Sequence, residues 1–210
     1  MPLIEDFRYG WRMLAKTPLQ AAAAILALGL GLGLTGAMVS IVYGVVIRPL
    51  PFSESERVLH LETKNLTQGE ESLEVYLADF LDWRREQKSF ESLSAFEMTS
   101  FNLSDPGEEP ERVDASYVTA NTFDVIRVKP LLGRTFLAGE DRVGAPRVVL
   151  LSHEIWQRRY GGDRDIVGRS IRVNAAPATV VGVMPPKFQF PFTQRLWMPL
   201  PIDETAAKRG

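Results

Sequence analysis

The chain has 210 residues, no cysteine, and 24 basic against 26 acidic side chains, a formal net charge of −2. Without cysteine it has neither a thiolate nucleophile nor a thiolate metal ligand. Its balanced charge, with no clustered basic face, argues against nucleic acid as a partner.

Residues 1–17 carry Ile4, Phe7, Trp11 and Leu14 at spacings of three and four, with Glu5, Asp6, Arg8, Arg12 and Lys16 mostly on other faces. That pattern predicts an amphipathic helix lying in the headgroup layer, an interfacial elbow whose apolar side is Phe7, Trp11 and Leu14. The alternative is a plain cytoplasmic extension of the next helix. Thr17-Pro18 breaks the pattern and places proline in the first turn of that helix.

Residues 21–47 then run for 27 positions without a charge, between Lys16 and Arg48. At ~1.5 Å per residue the run reaches about 40 Å, enough to cross a hydrocarbon core of ~30 Å. A transmembrane helix over 18–48 is the expectation. A cleaved signal peptide fits less well, because its apolar region is about 7–15 residues and Arg48-Pro49-Leu50-Pro51 is a poor cleavage site. Arg8, Arg12 and Lys16 precede the span, whereas only Arg48 and Arg57 follow closely, a mild positive-inside bias that puts the N-terminus in the cytoplasm. Inside the span Gly29 and Gly33 form one GxxxG step and Gly36 follows; small residues there let another helix approach, although glycine is common in membrane helices anyway. The formal GxGxG among them follows no strand, so a dinucleotide site is excluded.

With four basic and two acidic residues up to Arg48, the 162 beyond it carry 20 and 24, the profile of a folded domain over 49–210. That length can bury a full core without disulfides. Alternation predicts a strand over 58–64. Val75, Phe80 and Trp83 predict a helix over 72–88, and the aromatics Phe90, Phe96 and Phe101 mark a strand over 90–101. Asp105-Pro106-Gly107 is a turn before a strand at 111–118, and Thr119-Ala120-Asn121 is expected to cap a short helix through Val125. A loop with Gly133 and Gly139 leads to a buried strand at 147–151. Ser152 caps a helix over 154–160, which Gly161-Gly162 stops. Strands at 170–173 and 178–184 follow, joined by Asn174-Ala175-Ala176-Pro177. Together these predict an α+β fold with βαβ-like units, outside the membrane.

No catalytic set emerges. His60 and His153 stand 93 positions apart without a third ligand, and Asp79 and Asp82 sit beside Arg84 and Arg85 as an exposed salt-bridged helix face. Gly161-Gly162-Asp163-Arg164-Asp165 is a helix stop and polar turn, lacking the lysine of a P-loop and the spacing of a calcium loop. No GxSxG elbow is present. The expectation is a protein that is not an enzyme and has no cofactor and no metal.

Several blocks point further. They include Arg8-Tyr9, Arg12-Met13-Leu14, Val45-Val46-Ile47-Arg48-Pro49-Leu50-Pro51-Phe52, Tyr76 to Trp83, Val118-Thr119-Ala120-Asn121-Thr122-Phe123-Asp124-Val125, Pro130 to Phe136, Val148 to Trp156, Arg158 to Gly162, and Val180 to Pro185. In that order they resemble MacB/FtsX-type ABC transporter permeases, in particular the duplicated permeases of acidobacteria. The resemblance implies a MacB-like periplasmic core domain behind an inner-membrane helix. It also implies a cytoplasmic ABC ATPase partner and packing against other permease helices or a second permease copy. Nucleotide binding would then move the outer domain, for export or mechanotransmission. The junction Arg48, Pro49 and Pro51 would carry that motion. Family members continue into further membrane helices, so the chain is expected to be truncated at its C-terminus. The competing expectation is a single-pass anchored periplasmic binding or scaffold domain without transport.

Overall fold

The computed structural model describes residues 16–43, 55–65, 70–73 and 75–203. The chain divides into two compact units, residues 1–50 and 51–210. In the first, helix α1 (Pro18–Val42) has proline in its first turn. Within it, Pro18–Ser40 is long and apolar enough to cross a membrane. Its leucines are exposed on every side, Leu19 by 85% and Leu32 by 73%. An apolar helix left uncovered all round is stable only in lipid or against other helices. Thr35 returns its hydroxyl to the Gly31 carbonyl at 2.8 Å, which removes an unpaired donor from that surface.

The second unit begins with a 3-10 turn, Ser55–Arg57, and a two-stranded antiparallel hairpin of β1 (Thr63–Asn65) and β2 (Glu70–Leu73). Helix α2 (Leu77–Glu86) follows, then β3 (Phe96–Leu103), β4 (Glu111–Val118) and the one-turn helix α3 (Thr122–Val125). The rest comprises β5 (Leu132–Gly133), β6 (Val148–Leu151), α4 (His153–Tyr160), β7 (Ser170–Val173), β8 (Ala176–Val183) and β9 (Leu196–Pro199). The large sheet runs β5-β8-β6-β9-β4-β3-β7, and β7 also pairs with β8. The strands β8-β6-β9-β4-β3-β7 therefore close into a ring. Its seam is the β3–β7 pair Leu103/Val173, extended by Ser104 N–H to Arg172 O (3.1 Å) and Asn174 N–H to Asn102 O (2.8 Å). Two pairs are parallel, β4 with β9 and β6 with β8. The β6–β8 crossover carries α4, the helical connection a parallel pair requires.

The centre of the sheet is buried on both faces, which is why β6 and β9 are apolar at every position, whereas β7 alternates exposed and buried residues. Val149, Leu151, Leu196 and Met198 join Ile155 and Trp156 of α4 in one cluster. Val148, Leu150 and Trp197 join Phe123 of α3, Phe136 and Phe188 in the other. A bulge opposite Val149/Leu150 makes Val181 the extra residue on β8, so Val180 and Val183, three apart, share a face. Ser152 caps α4 by accepting from the Ile155 amide, and Gly161 ends it in the left-handed conformation, both as expected.

Several elements differ from expectation. The strand expected over 58–64 is regular only from Thr63: Leu59 is 67% exposed, so the alternation there meets no sheet. The helix expected over 72–88 is confined to Leu77–Glu86, because Glu70–Leu73 pairs with β1 and Tyr76 and Gln87 are extended. β3 starts at Phe96 instead of 90, since residues 92–95 bond to 119–121 instead. The connection at 174–177 is a two-residue turn in which Asn174 and Ala175 both have positive φ, and Ala176 and Pro177 already belong to β8. β9, between β6 and β4, has no counterpart among the expected strands.

Candidate functional site

The segment by which the chain comes into the second unit and the segment at 200–203 are both held at one edge of the domain, around the turn between β4 and α3. On the incoming side Arg57 pairs with Glu91, which lies 3.6 Å from Arg127. The His60 ring stacks on Phe96 with centroids 5.6 Å apart, and Phe96 meets Phe190 edge-on at 5.6 Å. The next link is Asn121. Its Nδ2 donates to Ser92 Oγ and to the Leu93 carbonyl, both at 2.9 Å. Its Oδ1 accepts from Thr119 Oγ1 at 2.8 Å. The fully buried Thr119 in turn accepts from the Ala95 amide at 3.1 Å, and its own amide donates to Ala95 O.

The following residue reaches the other side. The Ala120 amide donates to Asp141 Oδ2 at 3.0 Å, and the Asp141 carbonyl accepts from the Ile202 amide at 2.7 Å. Val143 N–H closes the bridge onto Ile202 O at 3.4 Å. A groove of about 770 Å³ opens at this node, lined among others by Arg84, Asn121, Asp124, Asp141, Arg142 and Asp203. As expected, Thr119-Ala120-Asn121 leads into a short helix through Val125 with Asn121 at its N-cap position, where the Asn121 carbonyl accepts from the Asp124 and Val125 amides. Asn121 makes no side-chain cap bond; its amide is spent on residues 92–93.

Beside the node, Arg134 and Glu140 form a two-bond clamp at 2.7 and 2.9 Å, and the same carboxylate accepts from the Leu137 amide at 2.8 Å. Burial pushes the Glu140 carboxyl up, but these three donors outweigh it and hold it below its ordinary value. A second cluster lies on α4. Asp105 accepts from Tyr160 OH at 2.8 Å and from the Arg172 amide at 2.8 Å, with Arg159 Nε at 3.4 Å. Burial, then the Asp105 hydrogen bond, push the Tyr160 phenol far above its ordinary value. Asp105, Arg159 and Tyr160 face one another inside the fold, and with Arg159 Nη1 donating to the Glu109 carbonyl they fix the turn at 104–110.

The residues singled out in the sequence fall elsewhere. Gly29, Gly33 and Gly36 lie on α1, where an added Cβ would meet nothing within 4 Å. Phe7, Trp11 and Leu14 of the expected elbow, and Arg48, Pro49 and Pro51 of the expected junction, lie outside the described residues. His153 packs edge-on against Trp156 at 5.3 Å, and Asp82 pairs with Arg85 on α2. Among the described residues no three carboxylates or histidines gather as a metal site.

The model of the MacB-like periplasmic core domain family matches residues 21–209. No curated protein matches the sequence. Among solved structures, the chain is similar to the periplasmic region of MacB from Actinobacillus actinomycetemcomitans, at 18% identity and a TM-score of 0.51 over 66% of this chain and 62% of that one. It is also similar to the extracellular domain of the noncanonic ABC-type transporter YknZ from Gram-positive bacteria, at 16% identity and a TM-score of 0.48 over 58% of this chain and 61% of that one. The chain thus spans little more than three fifths of each. At such identities the MacB match speaks to the fold alone.

Proposed function

This chain belongs to the MacB-like periplasmic core domain family of ABC transporter permeases, and on that footing we propose that it is the N-terminal part of a permease that couples a cytoplasmic ABC ATPase to movement of an extracytoplasmic domain. The observation that carries the reading is the pairing of two features in one chain. One is an uncovered apolar helix long enough to span a bilayer, and the other is an outer unit whose incoming and outgoing segments are fastened at one edge. A domain gripped there is moved as a body by whatever displaces those segments.

In this reading residues 1–17 lie at the cytoplasmic face of the inner membrane and 18–48 span it. Residues 49–210 form the outer domain. Phe7, Trp11 and Leu14 take up motion from the ATPase. Gly29, Gly33 and Gly36 offer the close-packing face to other permease helices or to a second permease copy. Arg48, Pro49 and Pro51 form a stiff link, because proline fixes φ. The protein itself needs no catalytic residue, since the ATPase is a separate subunit. The test is to replace Pro49 and Pro51 with glycine in the intact complex. ATP turnover should persist while export falls by about tenfold, the loss expected if roughly 1.4 kcal/mol of coupling is removed. Export at the wild-type rate would overturn the coupling role of the junction.

A further inference from the structure

We propose that Asn121 is a positioning residue that couples the segment by which the chain comes into the outer domain to the segment at 200–203. Its functional meaning rests on the reading above; the coupling itself stands on the geometry. From Arg57 the contacts run without a gap through Glu91 to residues 92–95, from there to Thr119 and Asn121, through Ala120 to Asp141, and from Asp141 to Ile202.

The links are unequal. Glu91 is 72% exposed and Arg57 53%. An exposed pair of that kind is worth at most about 1 kcal/mol. The incoming side is therefore held jointly by this pair and by the His60–Phe96 stack. Asn121 is different: with Nδ2 and Oδ1 both engaged, its side chain bonds residues 92–93 on one hand and Thr119 on the other. Next to it, Ala120 and Asp141 join the same turn to 202. Leu200 N–H also bonds Val118 O at 2.8 Å, so the outgoing segment is fastened on both sides of the turn that Asn121 holds. A pull on residues 55–60 is thus delivered to the β4–α3 turn and to 200–203 together.

The experiment is hydrogen exchange on the full 210-residue chain in detergent, read at the Ile202 and Val143 amides. The incoming side is loosened by His60→Ala with Glu91→Ala, both exposed positions, in the wild-type background and in Asn121→Asp. The aspartate keeps the acceptor for Thr119 but loses the Nδ2 donor. With Asn121 present, loosening should speed Ile202 exchange by about threefold or more, within the range that long-range coupling supplies. With Asn121→Asp in place, the same pair of changes should add at most half as much, the remainder passing through the Ala95–Thr119 bonds and the Phe96–Val118 pair. Glu111→Gln, which breaks the Arg158–Glu111 pair away from the node, should leave Ile202 alone. Unchanged Ile202 exchange on loosening overturns the proposal, as does an effect that persists undiminished in Asn121→Asp. No ATPase is needed, so this result is separable from that of the proline test.

Discussion

Gly133 has φ +72°, and an added Cβ there would come within 2.2 Å of the Val181 carbonyl oxygen. Its cross-strand partner is Gly182, where a Cβ would meet Arg134 O at 2.5 Å. Two glycines face to face let the backbones of β5 and β8 approach, and neither can give way cheaply. Gly133→Ala should cost about 2–4 kcal/mol through strain and clash, read as a shift in the urea midpoint of the outer domain with the slope unchanged. Tyr160 gives a prediction on pH. Its raised phenol pKa means the folded state prefers the neutral form, so stability is full below the ordinary tyrosine value of about 10 and declines as pH rises above it. Tyr160→Phe should lower stability at neutral pH by about 1–2 kcal/mol, from the lost Asp105 hydrogen bond, yet flatten the alkaline decline. Glu140 works in the opposite direction: its lowered pKa contributes stability above the ordinary carboxyl value of about 4.5 that is lost as pH falls below it. Glu140→Gln should flatten the acid limb of the stability profile.

At the level of elements, the helices and caps were largely legible because their signals are local. Ser152 and Gly161 bracket α4 by short-range bonds written in the sequence, and the charge-free run announced α1. The strands that escaped notice depend on distant partners. Leu196-Trp197-Met198-Pro199 is four residues long, buried on both faces and so without alternation, and it becomes a central strand only when β4 and β6 flank it. Asn121 was visible as part of a recognisable block, but its role was hidden. A turn asparagine before a short helix looks like a cap, and only the fold brings Ser92 and Leu93 within reach. For α1 the glycine face carries its own prediction. Gly29→Ile with Gly33→Ile should weaken association with other membrane helices by about 1–2 kcal/mol in a bilayer dimerisation assay, because the backbones could no longer approach. Unaltered association would show that the contact lies on another face.

For the whole molecule, the separation of labour is plain: an uncovered apolar helix, and a second unit whose central strands carry an apolar cluster on each face and whose fastenings lie at one edge. The seam between β3 and β7 has one residue pair in register, and it is reinforced by two flanking backbone bonds and by the Asn102 amide to Asn174 Oδ1 and the Arg172 amide to Asp105 Oδ1. Movement driven by a cytoplasmic ATPase across the bilayer requires the ring to stand on the opposite side of the membrane from residues 1–17. The absence of cysteine makes that directly measurable. Single cysteines at Met13 and at Asp163, a surface turn of the outer domain, would be probed in intact spheroplasts with a membrane-impermeant thiol reagent. Asp163→Cys should label at once, and Met13→Cys only after the membrane is permeabilised. Labelling at Met13→Cys with protection at Asp163→Cys would put the domain on the side of the ATPase and contradict the account.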